Sequence, residues 1–241
     1  MRSLRTLLVS GAVTALAITA LGAPVGAADT KGTLAIVNGI PGKRVDVCLN
    51  GNEIASGLKY GGKVFKNVVP TGNKNLKFFK RDPRTCRGNL LAQEQFPLAA
   101  AEDLTIVATK NDPEVVIFSN AGFGEIPPLG PPLGFGVFAW RSAADLATNF
   151  KYTFWAPDAS DVPIGPTVDP LWVKGDQLAS ATTTDWIWAL RATLPDSPDS
   201  IAGPKRVVTR NGHRYEWILI GTHPNNTRFV LLDRAISAPS P

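Results

Sequence analysis

Residues 33–51 read TLAIVNGIPGKRVDVCLNG. The run Leu34–Val37 is apolar without alternation, as in a strand covered on both faces. Pro41-Gly42 then breaks the chain, and Val45–Leu49 follows as a second strand. Asn50-Gly51 supplies two residues that tolerate positive φ, as a two-residue hairpin turn requires, so Glu53–Ala55 should return alongside Val45–Leu49. Strand, break, strand, tight turn and strand within so short a stretch is the rhythm of an antiparallel sandwich.

The same rhythm continues on the C-terminal side. Lys63–Val68, Leu76–Phe79, Leu90–Gln95, Leu104–Ala108 and Val115–Phe118 are rich in β-branched and apolar residues. Gly61-Gly62, Pro70-Thr71-Gly72 and Asn111-Asp112-Pro113 separate them. Residues 124–136, GEIPPLGPPLGFG, repeat PPLG in succession. Adjacent prolines remove backbone donors and enforce extended geometry, so this stretch is expected to be a spacer rather than a central strand. Beyond it, strands are expected at Phe135–Ala139, Phe150–Trp155, Leu171–Val173, Trp186–Leu190, Arg206–Thr209, Arg214–Gly221 and Phe229–Leu232. LTIVATKNDPEVVIFSN (104–120) and YEWILIGTHPNNTRFVLLDRA (215–235) share a pattern of apolar strand, Asn/Pro turn and apolar strand, as a duplicated module would.

The expected organisation is therefore all-β: a basic sandwich domain at 28–123, a Pro/Gly linker at 124–134 and a Trp-rich sandwich domain at 135–241. A signal peptide at 1–27 precedes them. Arg2 and Arg5 form its positive start, Leu7 to Leu21 carry no charge, and Val25 and Ala27 suit cleavage before Ala28. The uncharged stretch is too short and too interrupted to be a comfortable membrane span. A secreted or extracellular protein of the general export route is expected, with cell-surface association allowed and no membrane insertion after cleavage. The chain has two cysteines, Cys48 and Cys86, and in an oxidising compartment they should pair. A metal site with His213 and His223 would need spacings that resemble no zinc pattern, and neither a metal nor a cofactor is expected.

Charge is unevenly placed. Residues 28–123 hold thirteen basic and nine acidic side chains, and residues 124–241 hold ten and eleven. Lys59, Lys63, Lys66, Lys74, Lys77, Lys80, Arg81, Arg84 and Arg87 are opposed locally by Asp82 alone, and such a run can meet anionic partners or simply keep a sheet face soluble. Nucleic acid is not expected, since no stacking aromatics interleave with these cations. All six tryptophans lie in the second half. Trp186 and Trp188 share one strand face, as do Tyr215 and Trp217, and these four are candidates either for core or for an aromatic platform that binds sugar.

No nucleophile elbow, phosphate loop, calcium loop or paired-histidine motif is present in the sequence, so no catalytic residue is nominated. Asp158/Asp161, Asp169/Asp176 and Asp196/Asp199 sit beside turn-forming residues, and with His213 they are what an extracellular glycan hydrolase would have to draw on.

TLAIVNGIPGKRVDVCLNG, the following LKYGG, the VVPTG turn and the closing VVIFSN resemble the bacterial extracellular domain of unknown function 4397, over residues 33–120. The resemblance implies an exported immunoglobulin-like sandwich and assigns no catalytic residues. Val45, Asp46, Val47, Asn50 and Gly51 carry it and read as structural. The expected function is a non-catalytic binding or scaffold protein for envelope polymers or polysaccharide, with the hydrolase as alternative.

Overall fold

The computed structural model describes residues 30–121, 136–144, 150–155, 168–171, 175–181, 187–193, 200–208 and 213–235. The signal-peptide and linker expectations lie outside them. The described residues are all-β, with one short 3-10 turn at Pro224–Asn226. None of their helices is long and apolar enough to cross a membrane.

The first half contains β1 (Lys31–Asn38), β2 (Val45–Leu49), β3 (Asn52–Leu58), β4 (Lys63–Pro70), β5 (Gly72–Lys80), β6 (Leu90–Leu98), β7 (Asp103–Ala108) and β8 (Val115–Ser119). They form two sheets, ordered β4-β1-β7-β8 and β3-β2-β5-β6. The turn after β2 is as expected: Asn50 has φ 51° and Gly51 φ 82°, and Leu49 pairs with Asn52 across it. The second half contains β9 (Gly136–Ser142), β10 (Phe150–Trp155), β11 (Val168–Leu171), β12 (Gly175–Ala181), β13 (Ile187–Thr193), β14 (Ser200–Val208), β15 (His213–Ile220) and β16 (Arg228–Ala235). Their sheets are ordered β12-β9-β15-β16 and β11-β10-β13-β14.

Adding eight to each strand number of the first half reproduces the second half. Among the described residues, the one parallel pair of each half obeys the same rule, β1 with β7 and β9 with β15. Both parallel pairs also end alike, with Gly39 N–H donating to the Ala108 carbonyl and Ala143 N–H to that of Leu219. The shared rhythm of 104–120 and 215–235 is thus the visible part of a repeated topology.

The sheet containing β1 is covered on both sides, which explains its uninterrupted apolar run. Leu34, Ile36, Ile106 and Ala108 pack with Val45, Val47, Leu76 and Phe78 of the first half's other sheet. Ala35, Val37, Val107 and Phe118 face the opposite way and pack with Ala143, Ile218, Ile220, Val230 and Leu232 of the second half. The two halves therefore meet sheet face to sheet face.

Charges are buried in that seam. Aligning the two parallel pairs makes Asp103 the counterpart of Arg214, and Thr105 the counterpart of Glu216. Each meets its own counterpart: Arg214 pairs with Asp103, and the Thr105 hydroxyl donates to Glu216 Oε2 at 2.7 Å. Contact between equivalent residues is the mark of a two-fold, isologous interface, here within one chain. Arg141 Nη1 lies 3.1 Å from Glu216 Oε2, with both side chains fully buried. Arg234 Nη2 donates to Asp103 Oδ1 and to Glu216 Oε1, each at 3.1 Å.

At the seam's edge the Tyr60 hydroxyl donates to the Asn226 carbonyl at 2.5 Å, and the Arg228 guanidinium sits 4.2 Å above the Tyr60 ring. Burial pushes the Tyr60 phenol up from 10.0 to about 12, with Arg228 pulling the other way. A folded pKa above the unfolded one means that the contribution to stability is complete below pH 10 and is lost as pH rises through about 12. Ultraviolet titration of the native protein should show one phenolate forming near pH 12 that Tyr60→Phe removes. A titration in which that substitution removes only a transition near pH 10 would contradict the contact.

Candidate functional site

Cys48, on β2, and Cys86, in the segment between β5 and β6, form a disulfide across a sequence separation of 38. The bridge ties segment 81–89 across the outer face of the sheet that holds β5. Strand alternation decides which β5 side chains reach that face. Leu76 and Phe78 are fully buried, while Asn75, Lys77 and Phe79 point the other way and are half-buried. With Gly51, Thr85, Cys86 and Arg87 they line an open cavity of about 480 Å³ beside the disulfide.

Asp46 organises the approach to this cavity. Its carboxylate is buried and accepts hydrogen bonds from the Ser56 hydroxyl at 3.0 Å, the Gly57 N–H at 2.7 Å and the Asp82 N–H at 3.1 Å. Gly57 adopts φ 59° and has Arg81 packed against its α-carbon, so a side chain there would be both strained and crowded. Asp82 pairs with Arg84 at 3.2 Å, and that hydrogen bond holds its carboxyl below the usual carboxylate range. Of the nearby carboxylates, Asp46 is thus consumed inside the fold, Asp82 is shared with Arg84, and Glu53, across from Cys48 on β3, is exposed. Arg81, Arg84 and Arg87 belong to segment 81–89 and Lys77 lines the cavity beside it, so cations outnumber carboxylates there.

The nine cations read from the sequence do not all belong to this surface. Lys74 is in phase with Leu76 and Phe78, is buried, and donates to the Thr71 carbonyl at 3.0 Å. Lys63 donates to the Leu231 carbonyl at the seam and approaches the Phe65 ring. Lys59 is exposed in the turn before β4 and Lys66 is half-buried on β4, in the other sheet. Only Lys77 and Arg87 line the cavity.

The aromatic platform is corrected by the fold. Tyr215 and Trp217 alternate with Glu216 and Ile218, face the interior of the second half and are fully buried, so they are core and offer no surface to sugar. Trp188 lies on β13, its side chain outside the described residues, as is Trp186. His213 Nδ1 lies 2.7 Å from Asp233 Oδ1, an ordinary pairing between neighbouring antiparallel strands. His223 caps the 3-10 turn, its Nδ1 accepting from Asn225 N–H at 3.2 Å. Asp158, Asp161, Asp196 and Asp199 lie outside the described residues, and Asp169 and Asp176 lie on β11 and β12. Among the described residues no group of three or more His, Cys, Asp or Glu is placed to hold a metal ion.

Sequence reasoning missed the buried network of Arg141, Glu216, Arg214, Arg234 and Asp103. The signal was present in charges interrupting apolar strands, FAWRS and YEWILI.

No family model matches the chain, and no curated protein matches it. Among solved structures, the Bacillus anthracis TIE protein is similar at 12% identity and a TM-score of 0.26, over 83% of this chain and 34% of that one. A family-26 carbohydrate-binding module of Eubacterium rectale Amy13K, solved with maltoheptaose, is similar at 11% identity and a TM-score of 0.27, over 87% of this chain and 98% of that one. The chain thus spans about a third of the first of these structures. The protein is an all-β chain built of stacked β-sheets.

Proposed function

We propose that this is an exported, non-catalytic binding protein whose first half presents a cationic surface to an anionic polymer of the cell envelope or to an extracellular polysaccharide. The reading rests on one observation: Lys77 and Arg87 line the cavity beside the disulfide, and Arg81 and Arg84 lie in the same tied segment, where Asp46 is internally satisfied and Asp82 is paired with Arg84. Export through a leader at 1–27 agrees with the disulfide, which persists in an oxidising compartment. The division into 28–123, 124–134 and 135–241, and kinship with the domain of unknown function 4397 over residues 33–120, belong to the same reading. The repeated strand order supports the division, and the turn geometry at Asn50 and Gly51 supports the kinship.

The experiment is co-sedimentation of the purified protein with an insoluble anionic envelope polymer and with a neutral one, across a salt series. Screening shortens from about 10 Å at 0.1 M to about 3 Å at 1 M, so a cationic surface should hold the anionic polymer at low salt and release it at high salt. Equal retention on the neutral polymer, or retention indifferent to salt, would overturn the proposal.

A further inference from the structure

We infer that the cavity beside the disulfide is a specific subsite for an anionic sugar unit, with Lys77 and Arg87 holding its acidic group and Phe79 stacking on its ring. This deepens the proposed function and rests on it: diffuse charge attraction needs no cavity, whereas this surface has one.

Four features carry the inference. The volume, about 480 Å³, falls in the range of small-molecule sites and suits a short segment of a polymer. Its two cations, Lys77 and Arg87, come from different parts of the chain, the sheet floor and the tethered segment. Asn75 lines it too, half-buried beside Lys77 and Phe79, and offers a side-chain amide to a ligand hydroxyl. Phe79 lines the same cavity and is only half-buried, leaving part of its ring open beside the cations. A simple inorganic anion would use the cations and leave ring and amide idle. A neutral sugar would use ring and amide and leave two charges unmatched. A pyranose bearing a carboxylate or phosphate uses all of them: its C–H face on Phe79, its hydroxyls on Asn75 and Thr85, and its acidic group on Lys77 and Arg87. The disulfide fixes the geometry in advance, because Cys86 sits between Thr85 and Arg87 on the rim and Cys48 lies in the floor.

The test is a titration followed by backbone amide shifts, using trigalacturonate as the carboxylated probe, glucose 6-phosphate as the phosphorylated one and a neutral glucose trisaccharide as control. At least one anionic probe should shift residues 48–51, 75–79 and 85–87. Whichever of the two binds more tightly identifies the acidic group, and the neutral trisaccharide should bind at least about tenfold more weakly. Lys77→Ala, Arg87→Ala and Phe79→Ala should each weaken binding about tenfold, while Lys110→Ala, which removes a charge from an exposed loop elsewhere in the first half, should leave it within about twofold. Retained amide dispersion in each variant would show that the fold persists. If envelope polymer still binds in a salt-sensitive way but Lys77→Ala and Arg87→Ala weaken the probes no more than Lys110→Ala does, the subsite is wrong and the cationic surface stands. If neither probe nor polymer binds, both fall.

Discussion

Glu216→Ala is expected to destabilise the protein by about 3–5 kcal/mol, the range found when one member of a buried ion pair is removed. Glu216 is fully buried in the seam between the halves, where it meets Arg141, Arg234 and the Thr105 hydroxyl. Its loss leaves the fully buried Arg141 without that carboxylate and takes one carboxylate away from Arg214 and Arg234, which also meet Asp103. Glu216→Gln should cost less, because the amide oxygen can still accept from Thr105, although the guanidinium of Arg141 would lose its charge partner. Urea unfolding followed by tryptophan fluorescence and by far-ultraviolet circular dichroism should show the midpoint fall in both signals together. A change under about 1 kcal/mol would mean that the network is solvated and that the seam is not closed.

Replacing both cysteines, Cys48→Ser with Cys86→Ser, is expected to cost about 4 kcal/mol, the loop-closure entropy for a bridge across 38 residues. The effect acts mainly on the unfolded chain, so the native strands should remain and unfolding should simply come earlier in urea. Reduction of the unaltered protein should reproduce the loss. An unchanged midpoint in reducing urea would show that residual structure in the unfolded chain, or strain in the folded one, cancels the constraint.

Most of the fold was legible because local signals and tertiary demands agree. Val45–Leu49 and Phe150–Trp155 are strands over the residues expected, and the Asn50-Gly51 turn has the backbone that it encodes. Cys48 and Cys86, the two cysteines of the sequence, pair as expected. What was missed has physical causes. β12 reads GDQLASA, with no β-branched or aromatic residue; it is the edge strand beside β9, held by backbone pairing from Gly175 to Ala181 rather than by its own propensity. Lys74 was counted among surface cations because its neighbours are polar, whereas its phase with Leu76 and Phe78 turns it inward.

The repetition of the fold was only faintly visible, and the reason lies at equivalent positions. Thr105 corresponds to Glu216 and Asp103 to Arg214, substitutions that erase sequence likeness while making the two halves complementary to each other. Counterparts that have become partners no longer look alike. The same logic explains Tyr215 and Trp217: a strand whose two faces both pack must be apolar on one side and satisfied on the other, so rings that suit a binding surface in sequence serve as core in the structure. The site itself depends on residues far apart in sequence, Gly51, Lys77 and Arg87, which only the sheet order and the disulfide bring to one cavity.

The most direct test of the account is the salt dependence of polymer binding in the protein and in a variant combining Lys77→Ala, Lys80→Glu, Arg84→Glu and Arg87→Glu. Lys80, Arg84 and Arg87 are exposed and Lys77 is half-buried on the outer face of β5, so the fold should be retained. The account predicts that the protein's affinity falls steeply with added salt, and that the variant binds about a hundredfold more weakly at low salt with little salt dependence left. Equal affinity and an equal salt slope in the two proteins would contradict it.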